Sequence, residues 1–169
     1  MTLADRLPLP SKLGLVAALG SGALLGGAYY FQYVVGLAPC EMCYWQRWPH
    51  MVAIAVGLLA LASFAWPRLA LVFMLTAITA LIVTAGIGVF HVGVEYHWWA
   101  GPQACSGNVP RGLSPEQLRK YLFGAKMVRC DETAWAMWGI SMAGWNAILS
   151  GVLAFVLASG VAGWVRERR

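Results

Sequence analysis

Residues 39–48 read Pro39-Cys40-Glu41-Met42-Cys43-Tyr44-Trp45-Gln46-Arg47-Trp48, a Cys-x-x-Cys pair with an arginine four positions past the second cysteine. The stretch separates two apolar runs. Leu13 to Gly36, before it, carries no charge, and the run after it continues to Ala65. A helix rises about 1.5 Å per residue, so roughly 20 apolar residues cross a hydrocarbon core. A reactive cysteine pair therefore lies at the junction of two segments that are each long enough to span a bilayer.

Composition points the same way. The 169 residues are 60% hydrophobic and 11% charged, and mean hydropathy is +0.65. Soluble domains carry about 25% charged residues. Too little polar surface is available to cover a globule in water. The net charge of +5 does not indicate nucleic acid, because the basic residues are scattered and form no stripe with aromatic platforms.

The runs divide the chain into one domain with spans at about 13–36, 44–65, 69–90 and 141–165, and outer loops at 37–48 and 91–140. A cleaved signal peptide would have a shorter apolar core and a small-residue cleavage site. The first run instead ends in Tyr29, Tyr30 and Tyr33, and Pro39 argues against lipoprotein-type cleavage before Cys40. Pro49 predicts a kink in the second span after a first turn near Tyr44. Trp66-Pro67-Arg68 reads as a tight turn. The nine tryptophans all fall near predicted span ends, as interfacial anchoring requires. Gly22 and Gly26, and likewise Ala143, Ala147 and Gly151, stand at the spacing that lets helices approach closely, although alanine and glycine are abundant throughout. In the long loop, Ser114-Pro115-Glu116-Gln117 reads as a capping box. It opens a short amphipathic helix with Leu118, Tyr121 and Leu122 on one face, ended by Gly124. The fold expected is an all-α integral membrane protein, a four-transmembrane-helix bundle with that short helix in the second periplasmic loop.

Four spans place both termini on one side. Six basic residues fall on that side (Arg6, Lys12, Arg68, Arg166, Arg168, Arg169). Six fall on the other (Arg47, Arg111, Arg119, Lys120, Lys126, Arg129). The first set adjoins span ends, whereas most of the second lies deep in a long loop, where charge counts for less. Cytoplasmic termini follow. The four cysteines then face an oxidising space, where disulfides persist.

An even number of cysteines fits two disulfides or one metal site. An all-cysteine zinc site usually pairs two Cys-x-x-Cys knuckles. Cys105 and Cys130 are 25 apart and form no knuckle, so no metal is expected. A structural disulfide and a mobile, exchangeable one both fit that second pair. In the first pair, Cys43 is the expected reactive thiol, at a helix start and one turn from Arg47. Two pairs on one face suggest a relay by thiol–disulfide exchange. Its simplest electron outlet is a lipid-soluble quinone against Cys43. Arg47 would hydrogen-bond the quinone oxygen, and Tyr44, Trp45 and Trp48 would offer stacking surface.

With Cys40-Glu41-Met42-Cys43, Arg47, Cys105 and Cys130 assembled over four spans, the chain resembles the disulfide bond formation protein B (DsbB) family along its whole length. The resemblance implies a thiol:quinone oxidoreductase of the bacterial inner membrane. It would reoxidise a DsbA-like periplasmic dithiol oxidase and pass electrons to ubiquinone or menaquinone. It implies that Cys105–Cys130 is the disulfide attacked by that partner at Cys105. Cys130 would then exchange with Cys40, and Cys43, assisted by Arg47, would contact the quinone. Many members carry Glu where this chain has Gln46, which leaves the role of that position open. His91, at the outer end of the third run, is a further quinone-side candidate, ahead of His50, His97 and Glu95.

Three other readings compete. A haem anchor would use His50 and His91 but gives no work to the cysteines. A structural tetraspan predicts an unreactive Cys-x-x-Cys. A vitamin K epoxide reductase-like protein shares four helices, Cys-x-x-Cys and quinone, but here the motif precedes the second span rather than the last.

Overall fold

The computed structural model describes residues 7–102, 105, 114–117, 119 and 128–169. Four long helices dominate: α1 (Leu9–Tyr33), α2 (Glu41–Ala62), α3 (Pro67–Glu95) and α4 (Met142–Glu167). Between α3 and α4 lies a small antiparallel hairpin, β1 (Ala136–Met137) and β2 (Ile140–Ser141), with Ala136 opposite Ser141. Among the described residues, α1, α3 and α4 are long and apolar enough to cross a membrane. α2 is not among these three. Its first ten residues include Glu41, Gln46, Arg47, Pro49 and His50, which dilute its apolar content.

Local chemistry sets the helix starts. Pro67 occupies the first position of α3, where a missing N–H costs nothing. Ser141 caps α4 by accepting the Gly144 N–H at 3.2 Å. Cys40 caps α2 in the same way, its sulfur accepting the Cys43 N–H at 3.3 Å. The cap draws the helix start to Glu41, before the expected first turn near Tyr44, and α2 continues through Pro49 as one helix.

Each helix packs chiefly on its neighbours in sequence, with α1 also meeting α4. The shared core is small-residue rich: Ala17, Ala53, Ala60, Ala77 and Ala154 surround Met74, Leu81 and Leu157. Such residues let backbones come close. A Cβ on Gly14 would sit 2.5 Å from the Gly57 carbonyl, and one on Gly57 would sit 2.7 Å from that of Gly14. Gly88 meets Ala143 and Ala147 of α4 in the same way. The glycines at which one helix meets the backbone of another are therefore Gly14, Gly57 and Gly88. Gly22, Gly26 and Gly151, selected by spacing, face open space. The outer faces stay apolar, with Ile82, Val72 and Phe155 exposed, as helices in lipid require.

The hairpin was not legible in advance. Its two turn residues, Trp138 (φ 53°) and Gly139 (φ 77°), both take positive φ. That geometry usually announces itself as Asn-Gly or Asp-Gly. Here a tryptophan holds the first position, 83% exposed. In the long loop the reciprocal capping box is present: the Gln117 N–H donates to Ser114 Oγ at 3.2 Å, and the Ser114 N–H to Gln117 Oε1 at 3.0 Å. Residues 115–117 are helical. Leu118, Tyr121, Leu122 and Gly124, on which the amphipathic face and its end depend, lie outside the described residues.

Candidate functional site

All four cysteines meet at one end of the helices. Cys105 and Cys130 form a disulfide, whereas Cys40 and Cys43 are free thiols. Cys40, Met42, Val94, Cys105 and Cys130 form one buried cluster, with Cys43 and Val128 packed against it. Cys40 Sγ, Cys130 Sγ and a His91 ring nitrogen lie within 4.8 Å of one another. Cys130 is committed to the disulfide, so this trio does not offer the two thiolates of a cysteine-rich metal site. The helix start explains the arrangement. The Cys40 cap turns its sulfur back over the first turn of α2, 2.8 Å from Cys43 Sγ, whereas a disulfide bond would be about 2.05 Å.

The two thiols are not equivalent. The hydrogen bond to Cys43, then burial, then the charge on Cys43 hold the Cys40 thiol well above its ordinary range. Either sulfur can donate in the 2.8 Å contact between them. Cys40 is 5% exposed, and its sulfur also faces His91 Nε2 at 3.6 Å.

Behind His91 a polar network runs into the apolar interior. His91 Nδ1 is 2.8 Å from Gln46 Nε2. Gln46 Oε1 accepts from Asn146 Nδ2 at 2.8 Å. Asn146 Oδ1 lies 2.9 Å from His50 Nε2, and Thr84 Oγ1 donates to the Gln46 carbonyl at 2.9 Å. Buried polar groups cost little only when satisfied in this way. His50 and His91, the pair a haem anchor would use, each bond a side-chain amide.

Beside the cysteines lies a cavity of about 480 Å³, within the usual range for small-molecule sites. Leu24, Phe31 and Leu149 supply apolar wall, Cys43 and Arg47 supply polar wall, and Trp138 of the hairpin reaches it. Arg47 is only 7% exposed. Its guanidinium donates to Gln32 Oε1 and to the Ala28 carbonyl of α1, and stacks on Tyr29 and Tyr44. Among the described residues no carboxylate pairs with it. Glu95 also lines the cavity, and its buried Oε2 has no partner among the described residues.

The structure thus brings together Cys40, Cys43, Cys105, Cys130, Arg47, Gln46 and His91. It does not bring Tyr44, Trp45 and Trp48 to the cavity as stacking surface. Trp48 is 66% exposed, and the aromatic wall is instead Phe31 with Trp135, Trp138 and Trp145. Sequence reasoning missed Gln32, Thr84, Asn146 and Ser150, whose hydroxyl donates to Asn146 Oδ1 at 3.3 Å. Their signal was a polar side chain inside an otherwise apolar run.

The model of the family "Disulfide bond formation protein DsbB" matches residues 10–160. Proteins named disulfide bond formation protein B are similar along nearly their full length. That of Polaromonas naphthalenivorans is 30% identical, covering 96% of this chain and 97% of the relative. That of Verminephrobacter eiseniae is 32% identical, covering 94% and 92%. That of Stutzerimonas stutzeri is 31% identical, covering 97% and 99%. No solved structure matches the chain. With four cysteines gathered at one end of apolar helices and a family match across most of its length, this chain belongs to the DsbB family of membrane disulfide bond formation proteins.

Proposed function

We propose that this protein reoxidises a DsbA-like periplasmic dithiol oxidase and passes the two electrons through its two cysteine pairs to a membrane quinone. In this reading all four long helices cross the bacterial inner membrane, α2 included. The termini are cytoplasmic, the cysteines periplasmic, and residues 1–169 form one domain. The observation that carries it is the approach of Cys130 Sγ to Cys40 Sγ, within 4.8 Å, beside a cavity walled by Cys43 and Arg47.

The exchange steps balance. A thiolate of the partner attacks Cys105. A partner–Cys105 bond forms and Cys130 leaves as a thiolate. Cys130 then attacks Cys40 of an oxidised Cys40–Cys43 pair, forming Cys40–Cys130 and releasing Cys43 as a thiolate. The partner's second thiolate attacks its own mixed disulfide and frees Cys105. Cys105 attacks Cys130, restores Cys105–Cys130 and releases Cys40. The end point is a disulfide at Cys105–Cys130 with Cys40 and Cys43 reduced, the pattern the structure holds.

A bound quinone supplies a sink for the two electrons and two protons of the Cys40–Cys43 dithiol. The residues present fit such a group. The cavity is mainly apolar, Cys43 opens onto it, and a buried guanidinium with no carboxylate partner among the described residues offers N–H donors for an oxygen that gains charge. Gln32 and the Ala28 carbonyl orient Arg47 from α1. The test is thiol-dependent quinone reduction by purified protein. Cys43→Ser and Cys105→Ser are each expected to abolish it, and turnover that survives both changes overturns the relay.

A further inference from the structure

The chain of side chains behind Cys40 has a fixed direction, set at two backbone carbonyls. Asn146 Nδ2 lies 3.4 Å from the Thr84 carbonyl. A carbonyl only accepts, so the amide nitrogen of Asn146 faces it. Asn146 Oδ1 then faces His50 Nε2 at 2.9 Å and Ser150 Oγ at 3.3 Å, while Nδ2 also reaches Gln46 Oε1 at 2.8 Å. Gln46 Nε2 is left on the other side, 3.3 Å from the Met42 carbonyl. Reversing the Gln46 amide would set oxygen against that carbonyl and NH2 against the NH2 of Asn146. Gln46 Nε2 also meets His91 Nδ1 at 2.8 Å. An amide nitrogen only donates, so Nδ1 accepts. The proton of the neutral imidazole is therefore on Nε2, which faces Cys40 Sγ at 3.6 Å; the ring also hydrogen-bonds the Cys130 backbone.

We propose that Gln46 and Asn146 are positioning residues that lock His91 as a hydrogen-bond donor to the Cys40 sulfur, so that His91 is not the base that deprotonates Cys40. This inference rests on the thiol-exchange reading of the site. Cys40 sulfur then receives two N–H groups, from His91 and from the Cys43 backbone at 3.3 Å. When Cys105 attacks Cys130 and Cys40 is released, the charge arriving on Cys40 meets donors already in place. Cys43 Sγ, 2.8 Å away, is the remaining hydrogen-bond partner of the Cys40 sulfur. The other ionisable groups lining the same cavity are Cys43, Arg47, His50, Glu95, Arg129 and Glu132. Cys130 is held in its disulfide.

The lock gives Gln46 a specific task. It must donate to His91 and accept from Asn146 at once, which a carboxylate cannot do. Glu at this position would accept from the imidazole and move its proton to Nδ1. The test is nitrogen NMR of the full chain in lipid nanodiscs, with histidine labelled at both ring nitrogens and the Cys40–Cys43 pair reduced. His91→Asn assigns the signal by its loss. The expected result is Nε2–H in the wild type, Nδ1–H in Gln46→Glu, and a mixture in Asn146→Ala. Nδ1–H in the wild type overturns the proposal, as does a tautomer unmoved by both substitutions. Should Asn146→Ala fail to fold, the wild type and Gln46→Glu decide between the two results. Loss of the thiol-exchange reading would appear separately, as absent quinone turnover with the tautomer intact.

Discussion

Cys40 is a helix cap, shares a hydrogen bond with Cys43, and lies within 4.8 Å of Cys130 of the loop disulfide. Its thiol stays protonated well above the usual thiol range, chiefly through its bond to Cys43. A raised value means that the thiolate appears only as pH climbs past that range. Mass-spectrometric mapping of alkylation is therefore expected to find Cys43 modified near neutral pH and Cys40 only under strongly alkaline conditions. Equal labelling of both at neutral pH would contradict this asymmetry. Arg47 is the other decisive residue. Arg47→Ala removes a buried cation whose orientation comes from α1, and the expected loss in quinone turnover is about 100-fold or more, the scale of losing a preorganised donor. A rate within about threefold of wild type would remove Arg47 from the site. The cysteines and Arg47 were legible because their residue types and spacing have few other uses in apolar surroundings, whereas Gln46 and His91 were singled out only through the family resemblance. Gln32 and Asn146 were not. A lone amide in an apolar run has no motif, and its importance depends on which helix lies opposite.

At the scale of elements, the helices follow from apolar runs, but their contacts do not follow from small-residue spacing alone. Gly14, Gly57 and Gly88 make the close approaches, whereas Gly22 and Gly26 face outward. Gly57→Val is expected to destabilise the α1–α2 contact by about 1–3 kcal/mol, the usual cost of overpacking. Gly26→Val should shift thermal unfolding in detergent far less. Equal shifts would mean that the α1–α2 approach does not limit stability. The hairpin escaped sequence reading because its turn uses Trp138-Gly139, and the early start of α2 escaped because cysteine is an unusual cap. Both features matter to the site. The cap aims Cys40, and the hairpin brings Trp138 to the cavity.

For the whole molecule, apolar outer faces enclose an apolar core into which one polar network, centred on Gln46 and Asn146, is set. The three most apolar helices were plain from composition. α2 is harder to read because the residues that build the site, Glu41 to His50, lower its apolar content. The proposed topology of four spans with cytoplasmic termini predicts that a membrane-impermeant thiol reagent, applied to intact spheroplasts after mild reduction, labels the loop cysteines. Labelling only after the membrane is broken would reverse the topology. The most direct test of the central claim mixes purified protein, a reduced DsbA-like dithiol protein and a short-chain quinone, and follows both redox partners. The expected result is one quinone reduced per partner disulfide formed, abolished by Cys43→Ser and by Cys105→Ser. Partner oxidation without quinone reduction, or turnover undiminished in both variants, would contradict it.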